Sequence, residues 1–148
     1  MKWPSYTPEE IKKVSEVIKS GKVNYWTGNE VKSFEKEFSN FMGNKYSIAV
    51  CNATLALEAS LLALNIGKGD EVITTPRSYN ASASCILRVG AKPVFADIEI
   101  ETQNISVTDI KKKISNKTKA IICVHLGGTP CDIIEIKKIA KKKWIKLI

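Results

Sequence analysis

From Lys45 onward, short apolar runs alternate with stretches whose apolar residues recur at helical spacing, and few architectures tolerate that order. Residues 46–50, 71–75, 93–97, 119–124 and 144–148 read as strands. Residues 54–64, 79–89, 107–114 and 132–142 read as helices, the last with a capping box from Asp132 to Glu135. Strands separated by helix-length crossovers can pair in parallel, whereas hairpin-linked strands cannot. The expected fold class is therefore α/β, a mostly parallel sheet with helices on both faces. Ile121, Ile122, Cys123 and Val124 are apolar without interruption, as a central strand covered on both sides should be. Right-handed crossovers bring the loops that follow the strands to one edge of the sheet, where ligands of such folds bind.

The first 44 residues read as a separate helical segment, with residues 45–148 as an incomplete larger domain. Thr7 can cap a first helix, Pro8 suits its first turn, Glu10 completes a capping box and Gly21 ends it. Val31, Phe34, Phe38 and Phe41 mark a second helix over residues 30–41. The loop between them carries Tyr25, Trp26 and Gly28.

Composition narrows the function. The net charge of +8 comes almost wholly from lysine, with only Arg77 and Arg88 as arginines. Arginine is the residue suited to bidentate phosphate and base recognition, so a nucleic-acid partner is not expected. The lysine runs 111–113 and 141–143 fall in helical patterns and read as solvated faces. No apolar run approaches the 18 or so residues of a membrane span, and residues 1–10 lack the layout of a secretory signal. Cys51, Cys85, Cys123 and Cys131 form no C-x-x-C pair, and three lie in apolar stretches. Free thiols in a cytoplasmic protein are the expectation.

Four loops follow the expected strands and converge if the sheet is as read. Cys51-Asn52-Ala53-Thr54 opens a helix with small polar residues, where free amides and the helix dipole favour an anion. Ala53 lets a phosphate approach the backbone, and the Thr54 hydroxyl can donate to it. An ordinary helix cap fits the same residues. Tyr79, at a strand-to-helix corner before Ala81, Ser82 and Ala83, can lay its ring on a flat heterocycle or simply pack. Asp97 to Ile105 forms the third loop. The fourth holds His125, the single histidine, at the end of an apolar strand. It reads as a structural or a functional group, and no second ligand stands at metal spacing. The dinucleotide and Walker fingerprints are missing.

Taken together these segments resemble the DegT/DnrJ/EryC1/StrS sugar aminotransferases, which have the aspartate-aminotransferase (fold type I) architecture. Phe34-Glu35-Lys36-Glu37-Phe38 is similar to the family's FE-x-EF, and Cys51 to Leu57 to its S-x-G-T-x-A-L phosphate loop. Gly69 to Ile73 matches GDEVI, and Pro76 to Ser82 resembles P-x-T-F/Y/W-x-A-T/S. Gly90 to Asp97 resembles GA-x-PVF-x-D, and Lys117 to Leu126 is close to KTKAII-x-VHL. The resemblance implies pyridoxal phosphate as cofactor. Ala53 and Thr54 would hold its phosphate, Tyr79 would stack on its ring, and residues 22–28 would lie near a nucleotide-sugar entrance. Two positions depart from the pattern. Ala53 stands where the family has Gly, tolerable only if that backbone avoids positive φ. Thr129 stands where relatives often have Trp.

The implied reaction transfers an amino group, with glutamate as donor, to a nucleotide-linked keto-sugar for polysaccharide or amino-sugar synthesis, in a homodimer. The family's pyridine-pairing acid and Schiff-base lysine follow the last strand. A replacement lysine would need burial, and the lysines here fall mostly on polar faces and turns, so no catalytic residue is assigned and the chain alone is expected to be inactive. A related sugar dehydratase or a non-catalytic module would use the same half-domain. The last strand, with its outer neighbours absent, is expected to promote association.

Overall fold

A computed structural model describes residues 3–148. The chain divides into two compact units, Met1–Ala49 and Val50–Ile148.

The first unit holds two helices. In α1 (Pro8–Ser20) the Thr7 hydroxyl accepts from the Glu10 N–H at 3.2 Å, and the Glu10 carboxylate accepts from the Thr7 N–H at 2.6 Å. These two bonds form the expected capping box and hold the Glu10 carboxyl below its usual range. Gly21 ends the helix at φ 69°. In α2 (Glu30–Met42) Gly43 does the same at φ 66°, a conformation that costs glycine little.

The second unit runs α3 (Ala53–Ala63), β1 (Glu71–Thr74), α4 (Ala81–Arg88), β2 (Lys92–Phe95), α5 (Val107–Lys113), β3 (Thr118–Ile121), α6 (Ile133–Lys143) and β4 (Lys146–Leu147). The sheet order is β2-β1-β3-β4 and every pairing is parallel. Alternation along the strands feeds two cores. Val72, Ala120 and Ile122 pack with Leu61 of α3 and Cys85 and Ile86 of α4. Ile73 and Ile121 pack with Ile110 of α5 and Ile136 and Ala140 of α6. Helices therefore cover both faces, α3 and α4 on one and α5 and α6 on the other. This bears out the expected class.

The chain moves outward from β1 to β2 through α4, and outward from β3 to β4 through α6 on the opposite face. The connections leaving β1 and β3 thus diverge. Between adjacent parallel strands this is a topological switch point, with its crevice at the carboxyl ends. Helix α3 reaches the same edge by a different route. Its last turn leads through Asn65 and the Gly67–Asp70 turn into the amino end of β1, so α3 runs against β1. Spanning roughly 16 Å at 1.5 Å per residue, it carries its first residues to the carboxyl edge.

Residues 46–50 and the Asp132 cap depart from expectation. Residues 46–50 pair with no strand among the described residues, and Tyr46 and Ile48 are exposed. The segment is extended, and its one side-chain hydrogen bond runs from the Ala49 N–H to the Glu35 carboxylate at 2.9 Å. An apolar run becomes a strand only where a partner edge is at hand. The cap at Asp132 is one-sided. Its carboxylate accepts from the Glu135 N–H, but the Glu135 carboxylate turns to Lys138 instead.

The lysine runs stand in the last turns of α5 and α6, where cations complement the exposed carbonyls. Trp144 closes α6 in the left-handed region at φ 58°, with 92% of its surface exposed. Its side chain therefore gains nothing from burial to offset that backbone strain. Trp144→Gly is expected to stabilise the chain by about 0.5–1 kcal/mol. Ile121→Ala, which opens a cavity in a strand closed on both sides, should destabilise it by about 2–5 kcal/mol. Urea unfolding followed by circular dichroism measures both.

Candidate functional site

The first turn of α3 is built as an open donor set. Asn52 is extended, at φ −165° and ψ 168°, and its side chain accepts from the Leu55 N–H at 3.0 Å. The Ala56 N–H bonds to the Asn52 carbonyl. The amides of Ala53 and Thr54 precede the first intrahelical bond and find no acceptor among the described residues, nor does the Thr54 hydroxyl. Ala53 is exposed and helical, not among the residues of positive φ. Alanine is thus free of strain in the place of the family's glycine, and its small side chain leaves the amides open.

Tyr79 lies just outside α4 rather than in its first turn. Its carbonyl accepts from the Ser82 N–H, and the helix begins at Ala81. The ring is 79% exposed and makes no hydrogen bond or aromatic contact among the described residues. The corner itself is rigid. Ser78 and the buried Ser82 share a hydroxyl contact of 2.7 Å, and the Arg77 N–H reaches the Thr75 hydroxyl. At the end of β1, Thr74 is fully buried and its hydroxyl lacks a partner among the described residues. Helices α3 and α4 pack on each other. Their C-terminal turns meet where a Cβ on Gly67 would lie 3.4 Å from the Val89 carbonyl, so their starts share the carboxyl edge. Ala53 and Thr54 open α3 and Tyr79 precedes α4 at that edge.

His125 follows β3 on the other side of the switch point. Its Nδ1 accepts from the Cys131 N–H at 3.1 Å, and the Cys131 thiol donates to the Val124 carbonyl at 3.0 Å. Sequence reasoning missed the residue that holds this loop. Asn104 is 3% exposed and stands beside the Ile98–Ile105 bridge. Its Oδ1 accepts from the Leu126 N–H at 3.1 Å, and its Nδ2 donates to the Thr129 and Pro130 carbonyls at 2.9 and 3.1 Å. Thr129 is exposed, and its carbonyl is fixed by that bond. An asparagine in a polar loop carries no sequence signal of such a bridge.

The loop of residues 22–28, in the first unit, is organised by Asn24. Its side-chain oxygen takes the Trp26 and Thr27 amides and the Thr27 hydroxyl. Among the described residues no cluster of His, Cys, Asp or Glu could hold a metal. No described helix is long and apolar enough to cross a membrane.

The sequence profile of the DegT/DnrJ/EryC1/StrS aminotransferase family matches residues 4–148. GDP-perosamine synthase of Escherichia coli O157:H7 is 44% identical over 98% of this chain, which covers 40% of that enzyme. The aminotransferase from Psychrobacter cryohalolentis superposes at a TM-score of 0.97 with 48% identity, over 99% of this chain and 37% of its own. NtdA from Bacillus subtilis, solved with bound cofactor PMP, superposes at 0.88 with 33% identity, over 95% of this chain and 33% of its own. The chain thus spans well under half the length of these relatives.

The thiols of Cys85, Cys123 and Cys131 are poor nucleophiles. Burial, and secondarily the neighbouring Cys131, push the Cys123 thiol up to about 12. Burial also raises Cys85 and Cys131. A raised value leaves few thiolates at pH 8. Iodoacetamide at pH 8 should therefore label the exposed Cys51 alone in the folded chain, and all four cysteines in urea, as read by intact mass.

Proposed function

Because this chain belongs to the DegT/DnrJ/EryC1/StrS aminotransferase family, we propose that it supplies the phosphate- and ring-binding part of an enzyme that transfers an amino group to a nucleotide-linked keto-sugar. The family's cofactor is pyridoxal phosphate, and a similar structure holds its amine form. The observation that carries the reading is the unsatisfied donor set at the start of α3, beside a free aromatic ring at the same sheet edge. The Ala53 and Thr54 amides and the Thr54 hydroxyl take the phosphate, and the helix dipole adds roughly 0.3–1 kcal/mol. Tyr79 covers one face of the pyridine ring. When bound, the cofactor supplies an electron sink, while the protein positions it and excludes competing reactions.

Every described lysine is exposed, whereas a Schiff-base lysine needs a buried setting. We assign none of them to the covalent step, and the 148-residue chain alone is not expected to turn over. A nucleotide-linked sugar resembling the substrate of GDP-perosamine synthase, with glutamate as donor, suits the family. A homodimer in the cytoplasm suits it too, and the four unpaired thiols fit a reducing compartment.

The test uses pyridoxamine phosphate, which has no aldehyde to react with surface lysines. The full chain should bind it, and a nicotinamide dinucleotide should not bind. Thr54→Val should weaken binding roughly tenfold, and Tyr79→Ala roughly three- to tenfold, in calorimetric titration. Binding unaffected by either substitution, or none at all, overturns the reading.

A further inference from the structure

The loop after β3 is fixed more tightly than an idle connection requires. Asn104 is buried, and its carboxamide can sit only one way round. Its oxygen faces the Leu126 N–H, and its nitrogen faces two carbonyls. A flipped amide would set N–H against N–H and oxygen against oxygen. The three bonds tie residues 126–130 to the segment after β2 and fix the backbone that follows the exposed His125 ring.

The ring is fixed in turn. With Nδ1 accepting from the Cys131 N–H, neutral His125 carries its proton on Nε2. Among the described residues nothing accepts that proton. The result is an Nε2–H donor on a stiff loop that follows β3, at the carboxyl edge of the sheet. Holding such a donor is a different task from holding the loop.

We propose that His125 donates its Nε2–H to an anionic oxygen of the ligand bound at the carboxyl edge, and that Asn104 is the positioning residue that keeps it there. The inference rests on the reading of the site as a vitamin B6 pocket, and it adds a contact on the side opposite α3. The oxygen belongs either to the cofactor or to the carboxylate of the amino donor.

Because His125 is the single histidine, long-range proton–nitrogen correlation spectra of the full chain report it without ambiguity. The free chain should show Nδ1 bare and Nε2 protonated. Saturating pyridoxamine phosphate should shift the Nε2 resonance if the cofactor supplies the oxygen. A shift that waits for added glutamate identifies the donor carboxylate. His125→Phe should weaken the effective ligand roughly tenfold, with His125→Gln restoring part of the loss. Asn104→Asp, which turns two donors into acceptors facing carbonyls, should erase the single-tautomer signature and speed hydrogen exchange at Leu126 and Cys131. If that variant does not fold, the His125 variants, exposed at the changed side chain, still decide. An Nε2 resonance unmoved by either ligand, while Thr54→Val still weakens binding, overturns this inference and leaves the proposed function standing. Absence of binding altogether removes both.

Discussion

Burial of β1 and β3 on both faces is the constraint from which the rest follows. In each strand neighbouring side chains enter different cores, Val72 against α3 and α4, Ile73 against α5 and α6. A slip of one residue would exchange the faces. With two cores to fill, the connections leaving β1 and β3 take opposite sides, and the backbone opens a crevice where they part. The loops with chemical potential stand there because the sheet is covered twice.

At that crevice the chain relies on oriented dipoles more than on net charge. Its lysines are exposed, and its two longest runs of them close α5 and α6. Charges in water are screened beyond about 10 Å at moderate salt. The amides at the start of α3 are fixed in place and have no intramolecular competitor. Under the proposed function this is the more selective way to hold a phosphate, since the donors lose little freedom when it arrives. Restraint also governs Cys123 and Cys131, whose thiols burial keeps protonated.

Much of this was legible in the order of residues. Thr7, Pro8, Glu10 and Gly21 specify α1 through contacts no more than four residues apart. The alternation of apolar runs and helical spacing specified the class, and the small polar residues at 52–54 marked the start of α3. Prediction faltered where a residue's state depends on a distant partner. Tyr46 to Val50 has the composition of a strand but no neighbouring edge. Glu135 could complete a cap or pair with Lys138, and it pairs. Tyr79 was placed in the helix, but the chain turns at Asn80 first.

Sequence by itself determined the parallel sheet, its two covered faces and the side-chain types available at Ala53, Thr54 and Tyr79. Each of these follows from local periodicity, capping chemistry or side-chain type. Only the tertiary structure decided that the starts of α3 and α4 share one edge, that Ala53 is spared positive φ, and that Asn104 braces the loop carrying His125. Those outcomes depend on groups tens of residues apart meeting within hydrogen-bond reach. Packing of the whole sheet sets such meetings, and no short stretch of sequence encodes them.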